Sequence, residues 1–204
     1  MNLLPPYIKS GLIWVLWCFL HSLLISRSWT GWLQQILGKT FALYRLFYSL
    51  FSLVTLAAVV FYQVSLEQVI FFSWSGMWLF LQILLYLYGL YMFYVGWKRY
   101  DLAFFLGISP VKFFFAGKPL SPMAFNQDTS GGVRHPWYSG GIALVWAFGV
   151  ITDVTLVSKI VLTCYFVIGS FLEERKLRIE IGESYEEYCR KVPMLFPWRI
   201  KLIL

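Results

Sequence analysis

The stretch "RHPWYSGGIALVWAFGVITDVTLVSKIVLTCYFVIGSFLEER", residues 134 to 175, decides the fold. An arginine and a histidine open it, two carboxylates and an arginine close it, and almost everything between is apolar. Read as a hairpin turning at Asp153, it gives two spans, about 136–152 and 154–172, of roughly the length needed to cross a bilayer. Both polar ends then emerge on one side and face each other.

Composition extends that reading to the whole chain. With 59% hydrophobic and 21% aromatic residues against 13% charged, the sequence is far from a soluble domain. We expect an all-α integral membrane protein with about five transmembrane helices, a cytoplasmic C-terminal helical tail and a single membrane domain over residues 1–204. The other spans are about 7–25, 44–62 and 70–97, with 26–43 a polar connector. Residues 98 to 135 are broken by Gly107, Pro110, Gly117, Pro119 and Pro122, and read as a surface-hugging segment. Cys18, Cys164 and Cys189 have no CxxC spacing, so free thiols and no metal site are expected. No feature points to nucleic acid.

Charge sets the orientation. With five spans, fifteen of the seventeen basic residues fall in the connector, the loop after the third span and the tail, leaving Lys9 and Lys159 opposite. The positive-inside rule places the N-terminus outside and the C-terminus in the cytoplasm.

At the head of the hairpin, Pro136 suits the first helical position, which puts Arg134 and His135 just ahead of a helix N-terminus, a natural place for an anion. Gly131, Gly132, Gly140 and Gly141 would admit a ligand or a neighbouring backbone. In the tail, Glu173 and Glu174 would oppose the helix dipole if the helix ended there, so either it continues or a cation compensates. Gly182 interrupts, and Ser184 with Glu187 has capping-box spacing for a short helix from Tyr185 to Pro193.

Together "RHPWYSG" (134–140) and "EERKLRIEIGESYEEYCRKVP" (173–193) resemble the paired signature of the isoprenylcysteine carboxyl methyltransferase and phospholipid methyltransferase superfamily. The first half, "HSLLISRS" and "LGKTFALYRLFYSLFSL", is similar to its NnrU-type branch, which includes methanethiol S-methyltransferases and relatives of zeta-carotene isomerases. Ile181 stands where an aromatic often precedes the glycine. The resemblance implies an S-adenosylmethionine site at the cytoplasmic face, built from about 126–140 and 173–197. Carried over residue by residue, it implies cofactor contacts at Arg134, His135, Pro136, Tyr138, Gly140, Glu173, Glu174, Tyr185 and Tyr188, with Leu177 and Gly182 also in the pattern.

Methyl transfer asks for similar parts: a dry, aligned site and handles for the cofactor's charged ends. Arg134 suits a carboxylate, Glu173 or Glu174 an amino group or ribose, and Tyr138 and Trp137 could cover a sulfonium. His135 is the candidate base for a thiol or amine, so His135 and Arg134 are the candidate catalytic residues. The expected acceptor is small or lipophilic: a thiol, a carboxylate or a lipid headgroup.

Competing readings are simpler. In them Arg134 anchors headgroups, the tail charges are solvated ion pairs, the stripe Tyr86, Tyr88, Tyr91, Tyr94 and Trp97 is a membrane belt, and Asp153 is a plain turn. His21, inside the first span, is best read as bonded to a neighbouring helix. The alternative functions are an NnrU-like haem-dependent isomerase or redox protein using His21 and His135, the only two histidines, or a structural membrane subunit.

Overall fold

The computed structural model describes residues 4–118 and 132–197. In chain order it contains α1 (Pro6–Ile25), α2 (Arg27–Leu37), a 3-10 turn (Gly38–Leu43), α3 (Tyr44–Ser65), β1 (Ile70–Phe72), α4 (Met77–Arg99), α5 (Leu102–Phe105), α6 (Ile108–Phe115), α7 (Pro136–Ala147), β2 (Ile151–Thr152), α8 (Asp153–Ile181) and α9 (Glu183–Lys191). The protein is an all-α membrane protein, its two short strands aside. Among the described residues, four helical runs are long and apolar enough to cross a bilayer: Pro6–Ile25, Arg27–Ser65, Met77–Arg99 and Asp153–Ile181. Their outward faces carry large apolar side chains such as Val54, Phe61 and Phe80, as lipid contact requires.

Several expected boundaries need correction. The polar connector at 26–43 is mostly helix: Ser26 caps α2 by accepting from the Trp29 N–H, and Trp32 and Ile36 stand exposed on it. The third span begins at Met77, because 70–72 is strand. The span expected at 136–152 supplies a helix of only 12 residues. At 1.5 Å per residue that is about 18 Å, short of a hydrocarbon core of about 30 Å. The chain leaves helix at Phe148 and turns through Gly149 at φ +65°, a conformation that favours glycine.

The chain divides into two compact units. The first holds residues 1–69, 100–124 and 153–158. Polar side chains tie α1 to α3 within it: Trp14 Nε1 donates to Gln63 Oε1 at 2.5 Å, and Trp17 Nε1 to Thr55 Oγ1 at 3.1 Å. In lipid, where apolar surface gives helices little reason to associate, such bonds act as glue. Asp153 does more than turn the chain: its Oδ1 accepts from Val69 N–H at 2.9 Å, and its own N–H donates to Val69 O.

The second unit holds residues 70–99, 125–152 and 159–204. In it, α7 runs antiparallel along α4, as paired contacts show from Trp137 with Gly96 through Ser139 with Tyr88 to Ala147 with Gln82. The extended 151–152 segment then pairs with β1. Glycines allow the close approach: a Cβ on Gly140 would meet Gly89 O and Met92 Cβ, each at 2.9 Å. The α7 carbonyls left open at its C-terminus are capped by Lys159, whose Nζ donates to Val145 O (2.5 Å) and Phe148 O (2.8 Å).

Candidate active site

The head of α7 is knitted to the tail. Pro136 takes the first helical position as expected, and His135 precedes it. The helix carrying Glu173 and Glu174 continues to Ile181, resolving the dipole conflict by moving its end. Gly182, at φ +72°, then lets α9 fold back. The expected Ser184 capping box does not form: Gly182 is the N-cap, no side chain caps α9, and the helix ends at Lys191, two residues before Pro193. Tyr185, Tyr188 and Val192 make a small core with Leu177, Ile181 and Cys189. Beyond α9 the chain pairs with the motif, Arg134 N–H donating to Pro193 O at 2.9 Å and His135 N–H to Met194 O at 3.1 Å.

Glu174 is the hub of this joint and is 5% exposed. Its Oε1 accepts from Arg134 Nε at 2.6 Å, from His135 Nε2 at 3.0 Å and from the Tyr185 hydroxyl at 3.2 Å. Arg178, one turn on and mostly exposed, stands 3.7 Å from Oε2. Arg134 is also bonded within the fold, Nη1 donating to Val192 O at 2.5 Å and Cys189 O at 3.0 Å. Burial works against the Arg134 charge, but the hydrogen bond to Glu174 and that carboxylate's charge outweigh it and hold its pKa above the ordinary value. Burial, followed by the nearby Glu174 charge, pushes the Tyr185 phenol well above its usual range. The Cys189 thiol is raised chiefly by burial, against the pull of Arg134. Both remain neutral donors toward Glu174.

Because the carboxylate can only accept, the His135 Nε2 proton belongs to the bond with Glu174. The other ring nitrogen, Nδ1, faces Glu173 Oε2 at 3.7 Å. Unlike its neighbour, Glu173 keeps 32% of its side-chain surface exposed. Tyr138 stands beside His135 with ring centroids 5.7 Å apart and is only partly buried.

The sequence-derived residues thus separate into two groups. His135, itself 3% exposed, stands against the partly exposed Tyr138 and Glu173. Arg134, Glu174, Tyr185, Tyr188, Pro136 and Gly140 are buried in the frame. The carboxylate fork expected on Arg134 is taken by Glu174, the open face of Gly140 by α4, and the indole of Trp137 packs over Gly96. Gly131 and residues 126–130 lie outside the described residues. Within the described residues no group of three or more His, Cys, Asp or Glu side chains could hold a metal.

In the sequence Arg99 is one of the basic residues of the loop after the third expected span. It is buried at 4% exposure, and its Nη1 donates to Val133 O (3.0 Å) and Arg134 O (2.9 Å). Its Nε and Nη2 are buried and have no hydrogen-bond partner among the described residues. Only its place at the end of an apolar span, beside Lys98, could have hinted at this.

Comparison with known proteins gives this geometry a context. The chain is 28% identical over 190 residues to the methanethiol S-methyltransferase of Crocosphaera subtropica, covering 87% of this chain and 69% of that protein. It is 38% identical over 94 residues to methanethiol S-methyltransferase 1 of Bradyrhizobium diazoefficiens, 46% of this chain and 33% of that one. With the Mycobacterium tuberculosis methanethiol S-methyltransferase it shares 30% identity over 115 residues, 52% and 47% of the respective chains. The chain is thus similar to methanethiol S-methyltransferases, and this similarity supports the resemblance to the isoprenylcysteine carboxyl methyltransferase-like family. Together with the four apolar helical runs, this similarity supports a membrane methyltransferase with a methyl donor, a small-molecule substrate and the bilayer as its partners. The match spans only about a third to a half of the second and third relatives. No family model and no solved structure matches the chain.

For the methyltransferase, the two histidines also bear on the haem alternative. His21 Nδ1 lies 3.1 Å from Ser52 Oγ and its Nε2 2.8 Å from the Tyr48 hydroxyl, the neighbouring-helix bonding expected of it. His135 has a carboxylate toward each ring nitrogen. Neither ring presents a nitrogen to a metal without giving up such a neighbour.

Proposed function

We propose that this methyltransferase moves a methyl group from S-adenosylmethionine to a small thiol, at a cytoplasm-facing site where His135, Tyr138 and Glu173 meet. The observation that carries the reading is His135, oriented through Nε2 by the buried Glu174 while Nδ1 faces the partly exposed Glu173. The relatives' names supply the acceptor class, since those proteins methylate methanethiol.

The side chains fit such a donor. The buried Arg99 nitrogens without partners suit an anionic group, and Glu173 an amino group or ribose hydroxyls. Tyr138 offers a ring face for a cation. S-adenosylmethionine, when bound, supplies a methyl carbon activated by a positively charged sulfur. The protein's part is to line up the acceptor and take its proton. His135 Nδ1 accepts the thiol proton, leaving the thiolate pair to form the new carbon–sulfur bond as the donor's bond breaks. Glu174 stabilises the resulting imidazolium through Nε2–H, as a carboxylate does for the base in a nucleophile–base–carboxylate triad. Arg134 positions Glu174 and so acts through it.

The cytoplasmic placement rests on the five-crossing reading, in which fifteen basic residues fall on the same side as the tail. A labelled-donor assay with membranes containing the full chain tests the proposal: methanethiol or a similar small thiol should be methylated, and carboxylate and phospholipid acceptors should not. Transfer only to lipid headgroups would overturn the acceptor class. A C-terminal reporter found outside would overturn the cytoplasmic face.

A further inference from the structure

Arg99 presents an unusual charge. As the last residue of α4 it is 4% exposed, and no described carboxylate forms an ion pair with it. A guanidinium carries its charge at every physiological pH, and a buried charge without a counter-charge is strongly unfavourable. The two nitrogens lacking partners are Nε and Nη2. Their N–H bonds run parallel along one edge of the guanidinium, the fork that takes two oxygens of a carboxylate or phosphate. The opposite side is fastened by Nη1 to the carbonyls of Val133 and Arg134, so the fork is held beside the residue preceding His135. Arg134 offers no such edge, because its Nε is already on Glu174.

We infer that Arg99 is the anion clamp of this site, holding the carboxylate at the amino-acid end of the methyl donor. The inference rests on the proposed function and gives it a specific contact. A lipid phosphate or free inorganic phosphate shares the chemistry. A planar carboxylate fits better here, since an edge this buried is not presented to headgroups at the surface.

Calorimetry on the purified full chain in detergent tests this with two probes, S-adenosylhomocysteine and 5′-methylthioadenosine, which lacks the amino-acid end. Arg99→Met should weaken S-adenosylhomocysteine binding by about 10- to 100-fold, the loss expected for hydrogen bonds between charged groups, and leave 5′-methylthioadenosine binding unchanged. Arg99→Lys keeps the charge and should recover only part of the affinity; it also serves if Arg99→Met fails to fold. Unchanged S-adenosylhomocysteine affinity in both variants would overturn the inference, and so would an equal loss for both probes, which would mean that Arg99 only holds the fold. Arg99-dependent binding of inorganic phosphate or of phosphatidylglycerol micelles, with S-adenosylhomocysteine affinity unaffected, would reassign the fork. If the wild-type chain bound neither probe, the proposed function itself would fall.

Discussion

The chain's two histidines sit in opposite chemical settings. His21 is stacked on Trp17 at 4.9 Å and bonded to the neutral hydroxyls of Ser52 and Tyr48. His135 has Glu174 bonded to one ring nitrogen and Glu173 near the other. Neutral partners fix a ring in place, whereas a carboxylate toward each ring nitrogen gives an acceptor for whichever N–H the ring carries. The same residue type therefore acts as a helix tie in one unit and as a candidate base in the other. His21 lies within α1 and His135 just ahead of α7, and the charge of the partners separates their chemistry.

The comparison breaks most visibly at Glu174. Glu174→Leu removes the acceptor for Arg134, His135 and Tyr185 together and leaves a buried guanidinium facing an apolar group. Breaking one side of a buried ion pair costs about 3–5 kcal/mol, so the variant should lose its folded tail or a large part of its thermal stability. Thermal unfolding in detergent checks this. A loss below about 1 kcal/mol would mean that the joint is as weak as a surface ion pair.

How much of this was legible in advance differs by residue. The spans at 7–25 and 44–62 were readable because an apolar run of that length has no other use, and α1 and α3 occupy nearly those bounds. By contrast, α7 was overread, because Phe148 and Val150 continue the apolar run while the backbone turns at Gly149. In α2, the polar Arg27, Ser28, Gln34 and Gln35 hid a helix whose apolar face shows only at helical spacing. At the site, residue types and the pairing of motif with tail were legible, but the division of labour was not. Glu173 and Glu174 are adjacent and so point about 100° apart on a helix; one is buried and the other half-exposed, and no spacing says which. Arg99 was invisible because its role depends on what surrounds it, not on what precedes or follows it.

A second test sharpens the comparison at the base. His135→Ala should lower turnover with a thiol acceptor by about 10²- to 10⁴-fold, the usual contribution of a positioned base, while the folded fraction changes little. The defect should shrink as pH rises and the acceptor thiol ionises unaided. Turnover of wild type and variant across pH reads it directly. A defect of constant size would leave His135 as a positioning residue.

Tyr185→Phe probes the frame without removing a charge. The phenol sits in the small tail core with its hydroxyl 3.2 Å from Glu174 Oε1, and that acceptor keeps Arg134 and His135 when the hydroxyl is gone. The expected loss is about 0.5–1.5 kcal/mol of stability. Donor affinity should stay near wild type, because Tyr185 is 1% exposed and offers no surface to a ligand. Loss of S-adenosylhomocysteine affinity in a stably folded Tyr185→Phe variant would return this tyrosine to the cofactor site.

The smallest effect is expected at His21, and its smallness is what the comparison requires. His21→Gln keeps a polar side chain that can bond Ser52 or Tyr48, loses the stacking on Trp17, and alters nothing in the unit that holds His135. A helix tie in lipid contributes about 0.6 kcal/mol on average, because the unfolded-in-membrane state also finds partners for its polar groups. The variant should therefore keep turnover, donor affinity and pH profile, and shift thermal unfolding only slightly. A membrane methyl-transfer assay run beside His135→Ala makes the contrast internal. If His21→Gln instead abolished transfer while remaining folded, neutral partners would no longer distinguish a tie from a working group, and the first unit would have to carry part of the chemistry.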